Sequence, residues 1–409
     1  MKTFQNSGAF GDLKKFKVEV NDEDITDAVS SCFIYQDMFS PTNTATIVVN
    51  DTANLLLNIP IFAGASVKIT YETEHGSDND GEKEWVMEIY KIGEKDVTNP
   101  KVQTYTLFAA HSAFTRNQTK KIQKAFKDKK VSAIVQELAG QLGVGVDAKS
   151  SDGNVSVLIP NWTPLYAINW CAKFALKSNA ADYVFFQKHD DTFVFKPFEF
   201  LFSSDDESSG ITFTIKPTGI VDSTGDPGDH TTIVTRYHFE HYDALSNMAS
   251  GYYKSKLLTY DFIEKTFEET PFSFGDDCPK DLEKLRTDSG TLMSGEDANI
   301  TFSPLHPGML EDPSYLDTSS KWSGSRKSSL MKFEQEKLMI QLPGSAKSCE
   351  WFGQNCEFNL PSQVGEEGEE FDKQRRGRYL ITAMAHMFTG GMYILNAELV
   401  KKRLEKVDD

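Results

Sequence analysis

Two blocks of short β-type segments, held apart by a block of helical periodicity, constrain this chain more than any other feature. Residues 16–112 contain "FKVEV", "TATIVVND", "ASVKITYETE", "EWVMEIYKIG" and "KVQTYTLFAA". Each is a short run rich in β-branched and aromatic residues, and turn-forming stretches such as "HGSDNDGEKE" separate them. Strands at this spacing predict a barrel or a sandwich. The β character returns with "ITFTIKP" and "TIVTRYHFEHYD", and from Phe333 onward with "EKLMIQLPG", "NCEFNLPS", "GRYLITAMAHMF" and "MYILNAELVKKRL".

The two blocks echo one another. "TATIVVNDT", "SVKITYE", "WVMEIYKIGEKD" and "VQTYTLFAAHSA" in the first correspond in order to "KLMIQLPGS", "NCEFNLPS", "RYLITAMAHMFTGG" and "YILNAELVKKRL" in the second. Residue identity between them is negligible, so the correspondence lies in rhythm. Two similar barrels in one chain would give any ring of such chains a doubled pseudo-symmetry.

The intervening block reads as α+β. In "KKVSAIVQELAGQLG", Val131, Ile134, Val135, Leu138, Ala139 and Leu142 fall on one helical face, and Gly143 suits the C-terminal cap. In "NWTPLYAINWCAKFA", Thr163 is placed to cap and Pro164 sits at the first helical position. Apolar residues from Leu165 to Leu176 cover roughly two thirds of that helix, which predicts a deeply buried helix in a compact α+β unit. "DYVFFQKHDDTFVFKPFEF" predicts a hairpin turning at Asp190–Asp191. The expected organisation is a first barrel over 1–112, an α+β unit over 113–208 and a second, discontinuous barrel over 209–250 and 327–409. An irregular excursion over 251–326 interrupts the second barrel, and residues 271–328 are polar and rich in Ser, Asp, Gly and Pro.

Chemistry is sparse. His238 and His241 in "HFEH" form the one close histidine pair, but strand alternation sends them to opposite faces and argues against a metal. Acidic pairs in "DDESS", "GDDC" and "GEEGEEFD" lack the apolar flanks that would raise a carboxyl pKa. "GEEGEEF" reads as a solvated hairpin loop suited to docking, "KKRLEK" as a solvated strand end, and Trp85, Trp322 and Trp351 as core or interface residues. None of the GxSxG, HExxH, Walker or GxGxxG patterns occurs. Cys32, Cys171, Cys278, Cys349 and Cys356 include no CxxC pair, so neither a disulfide framework nor a zinc site is expected. With 43 basic and 60 acidic residues the formal net charge is −17, which disfavours a duplex-gripping surface. At 409 residues, two to four domains are expected. The opening "MKTFQNSGAFGDLKK" has no apolar signal region and no run is long enough to span a membrane, so production in a cytoplasm is expected.

Five segments, taken in order, resemble the central baseplate hub proteins of contractile-tailed, T-even-type bacteriophages, a family related to the N-terminal part of type VI secretion spike proteins. "SSCFIYQDMFSPTNTATIVVNDTANLLLNIPIFAGASVKITYE" resembles that family's opening barrel, and "QTKKIQKAFKDKKVSAIVQELAGQLGV" its lysine-rich entry to the middle helix. "NWTPLYAINWCAKFA" resembles its N-x-[ST]-P-x-x-A-I-N-W helix. "FEHYDALSNMASGYYKSKLLTYDFIEKTFEE" and "RKSSLMKFEQEKLMIQLPG" through "GRYLITAMAHMF" resemble the exit from, and return to, the second barrel. The departure is "AKSCEWFGQNCEF", where the family carries an apolar LxVGDVVE-like stretch; Gly353 is retained, and the acidic residue and aliphatics are partly replaced.

The resemblance implies a mainly β chain of two similar antiparallel barrels with an α+β accessory domain, assembling as a trimeric, pseudo-hexameric ring. Such a virion protein adapts a three-fold central spike to a six-fold tail tube, with no enzymatic activity and no cofactor. The implied partners are two further copies, a spike protein on a separate chain, tail tube or tube-initiator proteins, and a tape-measure protein. DNA passes through without specific binding, and acidic residues are expected on the inner wall. Ile59, Ile61 and Phe62, apolar yet in a connection, are the candidate subunit interface. The competing readings are a peripheral tail adhesin and, further off, a hub-associated cell-wall hydrolase.

Overall fold

The computed structural model describes residues 11–401, apart from 60, 74–80, 94, 100–101, 179–180, 204–207, 216–231, 242, 262–264, 274–298, 306–323, 325, 328, 331–335, 363–370 and 373–374. The loops "GDDC" and "GEEGEE", with Cys278 and Trp322, lie outside the described residues.

The first block forms β1 (Leu13–Val20), β2 (Glu23–Asp24), β3 (Val29–Asp37), β4 (Thr44–Asp51), the one-turn helix α1 (Leu55–Asn58), β5 (Ser66–Thr73), β6 (Lys83–Ile92), β7 (Asp96–Asn99) and β8 (Val102–Ala110). Period-two patterning sets their faces. In β4, Ala45, Ile47 and Val49 point into the core while Thr44, Thr46 and Val48 point out.

The middle block forms α2 (Ser112–Thr119), β9 (Ile122–Lys129), α3 (Val131–Gly140), β10 (Val146–Ala148), β11 (Val155–Trp162), α4 (Pro164–Ala172), β12 (Tyr183–Gln187), β13 (Phe193–Pro197) and α5 (Phe198–Ser203). It has its own core, in which Ile134, Val135 and Leu138 of α3 meet Leu165, Ile168 and Cys171 of α4. The lysine-rich entry is thus a strand, β9, paired with β11. Thr163 makes no side-chain cap on α4. Asn117 at the end of α2 fills that role, its Oδ1 accepting from the Leu165 N–H at 2.8 Å. The helix ends at Ala172, short of the expected length, and Ala175 and Leu176 reach the core from the turn beyond it.

The remainder forms β14 (Ser208–Thr214), β15 (Arg236–His241), α6 (Ala244–Ser250), β16 (Lys254–Asp261), β17 (Phe267–Ser273), β18 (Ile300–Leu305), β19 (Glu336–Pro343), β20 (Asn355–Asn359), β21 (Gly377–Thr389) and β22 (Met392–Val400). The expected irregular excursion holds a three-stranded sheet, β17-β16-β18. Arg326, at its return, donates 3.0 Å hydrogen bonds to the Ala181 and Tyr183 carbonyls and so fastens the excursion to the middle block.

The echo in the sequence is a repeat in topology. Across the sheet the six main strands of the first half run β3-β4-β8-β6-β5-β1, and those of the second run β15-β19-β22-β21-β20-β14. Ranked along the chain, both orders are second, third, sixth, fifth, fourth, first. Both halves also break register at the same place, after Ile89 in β6 and after Ile381 in β21. One difference stands out: β1 meets β5 antiparallel, whereas β14 meets β20 parallel.

The halves are not separate. β3 pairs antiparallel with β21, joining the two halves into one 14-stranded sheet over a shared core. The sheet curls until a single bridge, Asp12 to Met392, brings β1 beside β22. Among the described residues no ladder completes a barrel at that point.

Candidate assembly edges

The seam between the halves is held by an uncharged polar network inside an aromatic box. β21 turns Met384, His386 and Phe388 inward. The His386 Nδ1 lies 2.6 Å from the Tyr393 hydroxyl and its Nε2 lies 2.9 Å from Gln36 Oε1. An amide oxygen only accepts, so Nε2 carries the proton and Nδ1 accepts from Tyr393. Burial pushes the His386 pKa down to about 3, which keeps the ring neutral. Phe388 packs on Tyr393 at 4.6 Å, Tyr71 at 4.9 Å and Phe16 at 5.4 Å. Strands from both halves therefore share one packed centre. His189 from the middle block joins it, 4.3 Å from the Trp85 ring, and burial lowers its pKa as well.

Among the described residues, β15 and the far part of β6 each have one side without a ladder. β15 pairs on one side with β19, and among the described residues its other side carries no ladder. Its core-side Tyr237 is 41% exposed and Phe239 is only partly buried. The second opening is on β6. Its first part pairs with β5, and contact on that side ends where Gly64 N donates to Ile89 O at 2.6 Å and Ile89 N to Ala65 O at 2.9 Å. Beyond it, Tyr90 and Ile92 are 39% and 36% exposed.

The outer face of the seam is a shallow groove of about 380 Å³. Ala383 and Ala385 leave room on β21 between Tyr35 and Met339, and Asp37 and Glu398 stand at its sides. Glu398 accepts from Thr382 at 2.7 Å and faces Lys337 at 3.5 Å.

No protein-family model matches the chain, and no curated protein matches it by sequence. Solved structures do match. The 43 kDa tail protein of prophage MuSo2 from Shewanella oneidensis superposes over 95% of this chain and 98% of its own, at 8% identity and a TM-score of 0.56. A tail protein from Neisseria meningitidis MC58 superposes over 94% and 96%, at 13% identity and a TM-score of 0.56. The fold is one that phage tail proteins share. A type VI secretion component of E. coli covers 96% of this chain and 79% of its own at 8% identity, with a TM-score of 0.46.

Within this tail-protein fold the candidate interface residues separate. Ile61 is 7% exposed and belongs to the shared core, Ile59 packs partly against it, and Phe62 is 54% exposed. Phe62 is thus the residue of the three open to a partner. His238 is exposed on the β15 edge, and among the described residues no cluster of three or more His, Cys, Asp or Glu is placed to hold a metal ion. Trp85 and Trp351 are core residues. Cys349 is buried and its thiol is pushed up to about 12 by burial, far from a reactive thiolate. No helix among the described residues is long and apolar enough to cross a membrane. The features that sequence reading missed are the buried His386–Tyr393–Gln36 network and the two open edges. The network's one signal was inward alternation through "ITAMAHMF", which places His386 on the core side.

Proposed function

We propose that this chain is the central hub of a phage tail baseplate, a structural protein that forms a trimeric ring between a three-fold spike and a six-fold tube. The observation that carries the reading is the duplicated six-strand topology within one chain whose fold matches a phage tail protein over 95% of its length. Three copies of a two-unit chain present three-fold symmetry to one neighbour and near six-fold symmetry to the other. Neither face has to be distorted. The spike, the tube or tube-initiator protein and the tape-measure protein are the expected neighbours in the virion.

The electrostatics support passage of DNA without capture. The chain is −17 overall, and the groove over the seam is walled by Asp37, Glu398 and uncharged side chains such as Tyr35, Thr44 and Asn396. A wall of that kind offers no basic side chain to displace the counterions held by phosphate. Phe62 is proposed as a contact between copies, with Ile59 and Ile61 fixing the connection that presents it.

The test is the mass of the purified chain by sedimentation equilibrium, followed by electron microscopy of any oligomer. Particles near three times 45.9 kDa with a six-lobed ring in projection are expected. A chain that stays monomeric, or a ring without six-fold modulation, would sink the reading. Phe62→Asp is expected to weaken the oligomer while leaving the thermal midpoint unchanged. Ile61→Asp, at a core position, is expected to unfold the chain instead.

A further inference from the structure

The two open edges are counterparts of the two edges already joined inside the chain. The shared bulge sets the correspondence. Ile89 faces Ala109 just before it in the first half, and Ile381 faces Leu399 just before it in the second. Carried through the ladders, Ile34 of β3 corresponds to Phe239 of β15, because Ile34 pairs with Ala45 and Phe239 with Leu338. Lys91 and Ile92 of β6 correspond in the same way to Ala383 and Met384 of β21. Inside the chain β3 pairs with β21, Gln36 opposite Met384 and Tyr35 opposite Ala385. In the equivalent strands, β15 at the end of the sheet and β6 beyond Ile89, that same side carries no ladder among the described residues.

We propose that β15 of one copy pairs antiparallel with the β6 edge of the next, repeating the β3–β21 seam between chains, with His241 opposite Ile92 and Glu240 opposite Gly93. This rests on the ring reading above and supplies the contact that would close it. The partner is a second copy for a geometric reason: among the described residues the sheet has one open edge of each of these two kinds, so the contact is head-to-tail and propagates into a ring. The chemistry of the edges agrees. An unpaired strand is a template for another strand, and the apolar side chains beside it, Tyr237, Tyr90 and Ile92, are each partly exposed. In this register the Glu240 carboxylate lies diagonal to Lys91, within reach of an ion pair across the new seam.

The experiment is disulfide trapping in the full chain, in a Cys278→Ser background. The pair Ile92→Cys with His241→Cys is placed in register, and Ile92→Cys with Glu240→Cys is slipped by one residue onto the opposite face. Mild oxidation of the in-register protein is expected to give covalent trimers on non-reducing gels, with roughly tenfold less product from the slipped pair, because disulfide geometry tolerates little displacement. A trimer that forms but gives no in-register cross-link, or cross-links both pairs equally, overturns the strand docking and leaves the ring standing. A wild-type chain that sediments as a monomer overturns both.

Discussion

Strands β3 and β15 hold the same rank in two halves of identical strand order, yet their surroundings differ. β3 lies between β4 and β21, and its core-side Cys32 and Ile34 are fully buried. Among the described residues β15 pairs with β19 alone, and the equivalent Tyr237 and Phe239 remain partly open. The chain has thus built one seam in full and stopped half-way through a second. Covering a sheet edge is a requirement that one half meets from within, whereas in the other no described strand meets it.

Breaking the finished seam should cost the most. Phe388 sits where Phe16, Tyr71 and Tyr393 converge from both halves. Phe388→Ala is expected to destabilise the chain by about 3–5 kcal/mol in urea titration, since a rigid aromatic box cannot collapse into the void. A loss below about 1 kcal/mol would mean that the two halves hold together without it.

Acid should loosen the same seam through His386. Its folded pKa, about 3, lies below the unfolded value near 6.5, so between those limits the unfolded chain binds the proton more readily. Stability is then fully present above about pH 6.5 and falls as pH drops, by roughly 3 kcal/mol at pH 4.5. His189 and His111 are shifted in the same direction by burial and add to the slope. His386→Gln should flatten the pH dependence of the urea midpoint between pH 6.5 and 4.5. An unchanged slope would place the acid sensitivity elsewhere.

A smaller effect tests how far the repeat extends. Asp51 in the first half and Gly344 in the second occupy equivalent ends of β4 and β19, facing Gln103 and Tyr393. Asp51 is a buried side chain, but a Cβ on Gly344 would lie 2.3 Å from the Tyr393 ring. Gly344→Ala is expected to cost about 1–3 kcal/mol by pushing that ring out of the box. Thermal midpoints unchanged from wild type would show that the ring has room to move.

The sequence made the strand order of the repeat readable because each strand keeps its own alternation: "TATIVVND" became β4 and "EKLMIQLP" became β19. The helix cap was misjudged for a physical reason, since Asn117 is 48 residues from Leu165 along the chain and only tertiary packing brings it there. His386 could be placed on the inward side of its strand, but its partners Gln36 and Tyr393 come from other strands. Separate barrels were expected because nothing local in "SSCFIYQD" says that its far edge meets "AMAHMFT" some 350 positions away. Open edges are invisible to alternation for the same reason: a strand with one neighbour has the same pattern as a strand with two.

The gentlest substitution separates the two halves most sharply. Tyr237 is 41% exposed, so Tyr237→Ser should change the stability of the isolated chain by no more than about 0.5 kcal/mol. Its counterpart Cys32 is fully buried in β3 beside β21, and among the described residues no strand flanks Tyr237 in the same way. If a neighbouring copy supplies that cover, the same substitution should weaken association by roughly tenfold or more, because an interfacial aromatic then loses a buried position. Equilibrium sedimentation of wild type and Tyr237→Ser over a range of concentrations reads the difference directly. Equal association constants would leave β15 as an edge that solvent alone covers.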